Sequence, residues 1–234
     1  MFEVIEIPPG QYLIGDESIP NAGPQHRRKL TQSVWIDARP VSWEHFECFV
    51  QAGGYSPELL KGKSVDQRMR QLIDQFDEIN PPRGNSSESA LSQPITGLTW
   101  FEAAKLAEFY RARLPYEIEW EIVNAGSLKG GAAVTDRPGR GGFAMLIGSL
   151  QEWTLDAFSK AYWRADFDKR GVAWNQKLAG TDVAIRGAGP DDMFRHVSYR
   201  FASSPDDGHI HRGFRRVWES RPTKAEIVPS WKAA

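Results

Sequence analysis

The residues most able to do chemistry lie near the end of the sequence, between positions 195 and 215. This stretch mixes small hydroxyls, arginines, aromatic rings and histidines, whereas a plain core strand would alternate apolar and polar residues. It is therefore predicted to be a loop-rich surface that a scaffold built elsewhere in the chain holds in place. Its candidate catalytic residues are Ser198, Tyr199, Arg200 and Ser203.

The two serines have two interpretations. A serine hydroxyl acts as a nucleophile when a neighbouring base accepts its proton. The sequence shows no Ser-His-Asp order that includes Ser198 or Ser203. The alternative, which we favour, is that both are small side chains that fill space.

Two histidines in the same stretch, His209 and His211, are candidate metal ligands. With His196 nearby and Asp206 or Asp207 as a carboxylate, such imidazoles suit iron or zinc. The alternative is that His209 and His211 are exposed loop residues beside a turn. The spacing does not decide, because alternate residues point to opposite sides only in a strand.

Four side chains are candidates for contacting a ligand: Arg186, His196, Trp153 and Trp163. Arginine binds anionic groups through a planar fork of donors, but it more often braces loops by bonding to carbonyls and carboxylates. Tryptophan lines pockets or fills the core, and core packing is favoured here. The acidic residues at 117, 119 and 121 are interpreted as charges at a helix N-terminus rather than an acid/base pair.

The composition is that of an ordinary globular protein without a charge bias. The net charge is −1, so no chain-wide attraction to nucleic acid or to anionic membranes is expected. The chain has one cysteine, Cys48, so no intrachain disulfide is possible. We find no signal peptide and no apolar run of membrane-spanning length, and a cytoplasmic location is the expectation.

Hydrophobic periodicity predicts the elements that position these residues. Alternating patterns predict strands at residues 2–7, 11–14, 30–36, 183–185 and 214–218. Helical spacing predicts helices at residues 43–50, 65–76, 100–110 and 117–123. Ser42 is expected to cap the first helix, and Thr99 with Glu102 forms a capping box on the third.

The glycine and tryptophan contents point to an irregular fold. With 21 glycines and nine tryptophans, aromatic rings are expected to fill space that regular elements leave open. No internal repeat and no linker divides the chain. We therefore predict one domain over residues 1–220, followed by a peripheral C-terminal tail over residues 221–234.

Seven phrases, in order along the chain, resemble motifs of the formylglycine-generating enzyme, or sulfatase-modifying factor, family. Residues 7–15 are similar to its PxGxFxMG opening, 40–46 to PVTNxxF, 94–103 to PVxxVSWxDA and 113–121 to RLPTEAEWE. Residues 148–154 are similar to GNVWEWT, 186–189 to RGGSW, and 199–215 to the closing YR…PD…GFR. The resemblance covers roughly residues 4–218. It implies an α+β, C-type-lectin-like fold with low regular secondary structure.

The resemblance also implies a departure from the family's chemistry. Its catalytic members bind copper(I) through two cysteines that flank the YR phrase, and they use it to activate oxygen. The matching positions here are Ser198 and Ser203, and hard hydroxyl ligands do not hold a soft cation. Cys48 falls instead in the first predicted helix. Copper is therefore not expected, nor is oxidation of a peptide cysteine to formylglycine.

The family's structural calcium site draws on the GNVWEWT loop. Its counterparts here are Glu152 and the carbonyls of Gly148 and Leu150, but Met145 stands where the family has an asparagine ligand. Calcium prefers six or more oxygen ligands. The resemblance therefore implies a vestigial calcium site.

Three functions remain open after this reasoning. The first is binding of a protein, peptide or small ligand through the loop-rich face of residues 157–212, which is rich in aromatic and polar side chains. The second is an oxidative tailoring enzyme, either metal-free or dependent on a metal, with His196, His209 and His211 as its candidate residues. The third is a pseudoenzyme subunit that regulates a catalytic partner. The missing copper ligands favour binding.

Overall fold

The computed structural model describes residues 3–79, 90–125, 150–160, 181–190, 192–193 and 195–228. Its strands are β1 (Val4–Ile7), β2 (Gly10–Ile14), β3 (His26–Leu30), β4 (Val34–Asp37), β5 (Leu150–Ala157), β6 (Val183–Ala188), β7 (Phe201–Ser203), β8 (Arg212–Gly213) and β9 (Val217–Trp218). Its helices are α1 (Trp43–Gln51), α2 (Pro57–Leu60), α3 (Val65–Ile79), α4 (Trp100–Phe109), α5 (Glu117–Asn124) and α6 (Lys224–Ile227), with a 3-10 turn at Ala90–Ser92. This mixture confirms the predicted α+β class.

The described strands form three small sheets. One has the order β1-β4-β9, a second is the β2-β3 hairpin, and the third has the order β7-β6-β5-β8. All pairs are antiparallel except β5 with β8. The third sheet matters most for function, because its strands carry or adjoin most of the candidate residues.

Helix starts follow the sequence signals closely. Thr99 Oγ1 accepts a hydrogen bond from the Glu102 amide at 3.2 Å, and Glu102 Oε2 accepts one from the Thr99 amide at 2.8 Å. This pair is the predicted capping box on α4. At α1, Ser42 contacts His45 Nδ1 through its hydroxyl at 2.9 Å.

Two apolar clusters form the core of the described chain. The larger joins α1 and α4 to β5 and β6, and it contains fully buried Phe46, Trp100 and Trp153. The smaller packs Ile14 of β2 against Ile122 of α5 beneath the first two sheets. Rings do fill the space between short elements, as the tryptophan content suggests.

The prediction of one strand over residues 30–36 is wrong, because β3 ends at Leu30 and β4 begins at Val34. The sequence pattern missed β3 because four of its five residues are basic. The predicted strand at 214–218 is also too long. Phe214 and Arg216 instead offer their carbonyls to the amides of Val41 and Asp37, and only Val217–Trp218 is a strand.

The described part of the C-terminal tail contacts the domain. Within α6 the carbonyl of Ile227 accepts hydrogen bonds from Arg216 Nη2 and His45 Nε2, each at 2.9 Å. Val228 is buried. The boundary at residue 220 stays a prediction, but the tail is tied to buried side chains up to residue 228. In the described ranges no helix is both long and apolar enough to cross a bilayer.

Candidate functional site

A buried charge network joins α5 to the third sheet. Glu117 and Glu121 lie one helical turn apart, so their carboxylates face the same side. Arg200 donates to both oxygens of Glu117 through Nε and Nη2. Arg186 donates to Glu121 and to the carbonyl of Val197 at 2.9 Å. Two guanidiniums therefore meet two carboxylates in the domain interior.

Arg186 and Arg200 are placed to brace the fold. Their exposed fractions are 0% and 1%, and every contact above is with a protein group. Arg200 Nη1 also donates to the Ser159 carbonyl at 2.9 Å, which fixes the end of the segment after β5. A buried arginine already paired with a carboxylate has little to offer an anionic ligand. The geometry thus favours the bracing interpretation over ligand contact.

Ser198 is part of this network. Its hydroxyl donates to Glu121 Oε1 at 2.8 Å, and the Gly15 amide donates to the same oxygen at 2.7 Å. Ser198 is 5% exposed. Because Glu121 already binds Arg186, its carboxylate holds the structure together and is not free to take a proton from a nucleophile.

Ser203 lies in a second polar group, here called the Arg212 cluster: Gln151, Asp192, Ser203, Asp207 and Arg212. Ser203 Oγ donates to Asp207 Oδ2 at 2.9 Å and accepts from Arg212 Nη1 at 3.1 Å. Arg212 Nη2 donates to Gln151 Oε1 at 3.1 Å, and Gln151 Nε2 donates to Asp192 Oδ2 at 3.0 Å. The two serine hydroxyls therefore have different partners, and among the described residues neither is hydrogen-bonded to a histidine side chain.

The Arg212 guanidinium is stacked as well as hydrogen-bonded. It lies 4.4 Å from the ring centroid of Trp153, within cation–π range. Burial lowers the pKa of Arg212, although Asp207 partly opposes this. Trp153 itself is fully buried, and its Nε1 donates to the Leu98 carbonyl at 3.0 Å. Trp153 is thus a core residue beneath the cluster.

The loop of residues 203–212 is fastened to the core by its backbone. The Pro205 carbonyl accepts from the Trp100 amide at 2.9 Å, and the Gly97 amide donates to the His209 carbonyl at 3.1 Å. A Cβ added at Gly208 would lie 2.2 Å from the Gly97 carbonyl oxygen, so the two segments touch through backbone. The 203–212 loop is therefore held rigidly.

The side chains of this loop point outwards at several positions. Ser204, Asp206, Asp207 and His209 are exposed, and Asp206 pairs with Lys61 near the end of α2. A rigid backbone with exposed polar side chains is a typical recognition surface. It displays hydrogen-bonding groups without the entropy loss of ordering a mobile loop.

The two histidines of the loop lie side by side. Their ring centroids are 5.9 Å apart, and His209 Nδ1 accepts from the His211 amide at 3.2 Å. Burial, with the charge of Arg212, lowers the pKa of His209 and so favours the neutral form of its ring. Among the described residues no group of three or more His, Cys, Asp or Glu side chains is placed to hold a metal ion. A metal at His209 and His211 stays a prediction.

His196 and Tyr199 lie in the segment before β7. His196 Nδ1 accepts from the Ser198 amide at 3.2 Å, and its Nε2 is 4.0 Å from Asp16 Oδ2. The Tyr199 ring packs edge-on against the Phe201 ring, with 4.5 Å between their centroids. Both side chains are half-buried, and they remain accessible candidates for ligand contact.

The residues of the expected calcium site have other surroundings. Both oxygens of Glu152 accept from Arg215 Nε, at 3.1 and 2.9 Å, and both residues are fully buried. Burial raises the pKa of Glu152, against the opposing charge of Arg215. Leu150 is buried in β5. Gly148, Met145 and Trp163 lie outside the described residues. Glu152 is thus paired with a guanidinium, and the calcium site stays a prediction.

The sequence did not reveal the hydrogen-bond acceptors in the buried charge network or in the Arg212 cluster. Glu117 and Glu121 read as helix-end charges, although their spacing of four already placed them on one face. Gln151 lies inside the phrase at residues 148–154 but was given no role there, and Asp192 belongs to none of the seven phrases. The pairing of β5 with β8 sets Gln151 beside Arg212, and Gln151 in turn donates a hydrogen bond to Asp192.

Solved structures of other proteins share this fold. PvdO from Pseudomonas aeruginosa aligns with a TM-score of 0.65 at 16% identity, covering 93% of this chain and 94% of PvdO. Treponema denticola variable protein 1 aligns with a TM-score of 0.62 at 14% identity, covering 94% of this chain and 95% of that protein. These likenesses confirm the predicted C-type-lectin-like, sulfatase-modifying-factor fold. At such identities they establish the fold alone.

Two curated relatives match part of the chain. The serine/threonine-protein kinases pkn1 of Chlamydia caviae and Chlamydia pneumoniae are 30% and 28% identical, each over 134 residues. Each match covers 54% of this chain and 20% of the kinase. This chain therefore corresponds to about a fifth of the length of these relatives.

The family assignment rests on a longer match. The sulfatase-modifying factor enzyme 1-like domain matches residues 1–138, more than half of the 234 residues. The first four motif phrases of the sequence lie inside this range. The chain belongs to the sulfatase-modifying factor enzyme 1-like domain family, as a member whose single cysteine leaves it without the copper-binding pair.

Proposed function

We propose that this domain is a recognition module that does not generate formylglycine and that binds a protein or peptide through the 203–212 loop and its surroundings. The observation that carries the proposal is the fastening of this loop. Its carbonyls at Pro205 and His209 accept from the amides of Trp100, the first residue of α4, and Gly97, whereas the side chains at 206, 207 and 209 are exposed. Preorganised polar groups favour binding because little conformational entropy is lost.

The bonding of the two serines supports a role without copper. Each hydroxyl bonds to a carboxylate, Ser198 to Glu121 and Ser203 to Asp207. Copper(I) needs soft sulfur ligands, and the thiol of Cys48 is buried in α1. The groups at the family's reaction centre thus serve the scaffold.

The pairing of buried charges supports binding over acid/base catalysis. Catalytic acids and bases are typically in a cleft with a proton to exchange. The buried carboxylates at 117, 121 and 152 are instead bound to arginines at 200, 186 and 215. The accessible groups lie on the loop.

The relation to longer proteins fits a module. The two kinase relatives carry the similar segment as a fifth of their length, and a recognition domain attached to a catalytic one is a common arrangement. Kinase activity belongs to those proteins, and we do not transfer it to this chain.

A displayed library of random peptides tests the proposal. Peptides enriched on the full chain are measured by titration against wild type, the double variant D206A/H209A and the distant surface variant R70A. We expect D206A/H209A to weaken binding about tenfold or more, and R70A to leave it unchanged. Equal affinity for all three proteins, or no enrichment at all, would contradict recognition by this loop.

A second assay addresses the family's oxidation. Purified protein reconstituted with copper(I) is expected to bind no stoichiometric copper and to leave a cysteine peptide unchanged. Conversion of the cysteine to an aldehyde would overturn the proposal.

One observation keeps an oxidative tailoring enzyme as the second candidate. The rings of His209 and His211 lie side by side on an accessible surface, with their centroids 5.9 Å apart. Stoichiometric iron or zinc in the protein as purified, lost in the double variant H209A/H211A, would favour this alternative.

A further inference from the structure

The β2-β3 hairpin presents one face to solvent. Its register sets Gln11 opposite Lys29 and Leu13 opposite Arg27. All four side chains are exposed, and Leu13 is 51% exposed. Since successive residues of a strand point to opposite faces, these four share one face, here called the hairpin face.

The opposite side of the hairpin packs against the core. Tyr12, Ile14 and Leu30 are buried in the smaller core cluster, together with Ile118 and Ile122 of α5. The Tyr12 hydroxyl donates to the Pro8 carbonyl at 2.6 Å, and the Gly15 amide donates to Glu121. The hairpin face is therefore presented on a fixed base.

The hairpin face is positively charged and unneutralised. Within the described parts of the chain neither Arg27 nor Lys29 has a carboxylate partner, and the face itself contains no acidic residue. The buried arginines at 186, 200, 215 and 216 are all paired by contrast. The overall net charge of −1 thus conceals a local concentration of positive charge.

We propose that the hairpin face docks an acidic, extended segment of a partner protein. Arg27 and Lys29 are two residues apart on one strand, a separation of about 7 Å. That spacing matches acidic residues at alternate positions of an extended chain. Opposite charges then steer and align the partner.

The mixed chemistry of the face points to protein rather than nucleic acid. The exposed Leu13 offers an apolar contact beside the two cations, as in the mixed anatomy of protein interfaces. A single-stranded nucleic acid would use aromatic rings for base stacking, and the four residues of the hairpin face include none. The site is separate from the 203–212 loop.

The experiment uses a fluorescein-labelled peptide of alternating glutamate and valine and the full chain, measured by fluorescence anisotropy at low salt. The double variant R27E/K29E removes the proposed contacts. The control R39E/R70E makes the same change in net charge at two other exposed positions. We expect R27E/K29E to bind the peptide at least about tenfold more weakly than wild type, and R39E/R70E to stay within about threefold. The milder variant R27Q/K29Q, which keeps uncharged polar groups, is expected to show a smaller loss in the same direction.

The apolar contact has its own measurement. L13S is expected to weaken peptide binding about threefold without changing its salt dependence. Equal peptide affinity for wild type and R27E/K29E, or equal loss in both double variants, would overturn the proposal. Tighter binding of a single-stranded oligonucleotide than of the peptide, lost in R27E/K29E, would also overturn it and assign the face to nucleic acid.

Discussion

Ser198 donates its hydroxyl proton to Glu121 at 2.8 Å, and this bond ties the segment before β7 to helix α5. The same carboxylate binds Arg186 and the Gly15 amide. A single glutamate therefore joins the hairpin, the third sheet and the segment before β7. The hydroxyl of Ser198 is thus part of the packed scaffold.

The contacts of Glu121 predict that two substitutions lower the free energy of unfolding by different amounts. Ser198→Ala removes one of several hydrogen bonds to Glu121 and should lower the free energy of unfolding by about 1 kcal/mol. Glu121→Gln leaves the buried Arg186 short of negative charge and should cost about 3 kcal/mol or more. Urea unfolding at pH 7 measures both. Ser204→Ala, exposed on the 203–212 loop, is the control, and an equal loss in all three variants would contradict the role of Glu121.

Protonation of Glu102 is expected to cause part of the protein's loss of stability at acidic pH. Burial alone would raise the pKa of Glu102, but hydrogen bonds and charge from Arg68 outweigh burial and hold that pKa below 4.5. Because the folded state then binds the proton less well than the unfolded chain, this contribution is present above pH 4.5 and is lost as pH falls through the folded pKa. Wild type should therefore lose more stability between neutral and acidic pH than Glu102→Gln does.

The matched control for this experiment is Glu108→Gln on the same helix. Glu108 also pairs with a cation, Lys105, but its side chain is 49% exposed. Exposed ion pairs contribute little, so this variant should keep the pH dependence of wild type. If both variants flatten the unfolding curve equally, the Arg68–Glu102 pair is not the cause.

His209 predicts a site-specific titration. Burial is the first cause that lowers its pKa below 6.5, followed by the charge of Arg212, while Asp207 partly opposes them. Asp207→Asn should therefore lower the pKa of His209 further, and His211→Gln should raise it. An NMR pH titration of the imidazole signals measures these opposite shifts. Because the unfolded chain binds this proton better, the stability linked to His209 is lost as pH falls below 6.5.

Local signals were enough to predict much of the scaffold. The capping box at Thr99 and the apolar spacing of α1, α4 and α5 located these helices, because caps and periodicity depend on neighbours in sequence. Strand β3 was not predicted, because its outward face is basic and its inward face holds few apolar residues. Its identity as a strand depends on pairing with β2 across a turn.

The chemistry of the site was harder to predict than the fold. Sequence alone left Arg186 between ligand contact and bracing, since only the fold reveals the carboxylates of α5 beside it. It likewise gave no sign that Arg215, more than sixty residues further along the chain, binds Glu152. Contacts between distant segments decide which charges are free, and no local pattern encodes them.

Gly208 and Gly53 separate two causes of glycine dependence. An alanine Cβ at Gly208 would meet the Gly97 carbonyl oxygen at 2.2 Å, a backbone atom that cannot rotate away. At Gly53, where φ is +74°, a Cβ meets nothing within 4 Å, so only the left-handed conformation is unfavourable. We expect Gly208→Ala to lower the free energy of unfolding by about 2–3 kcal/mol and Gly53→Ala by about 1 kcal/mol.

Hydrogen exchange should rise at residues 203–212 in Gly208→Ala alone, because the clash detaches the 203–212 loop from its anchor. Exchange that rises equally in Gly53→Ala would mean that the loop is not fastened through this contact.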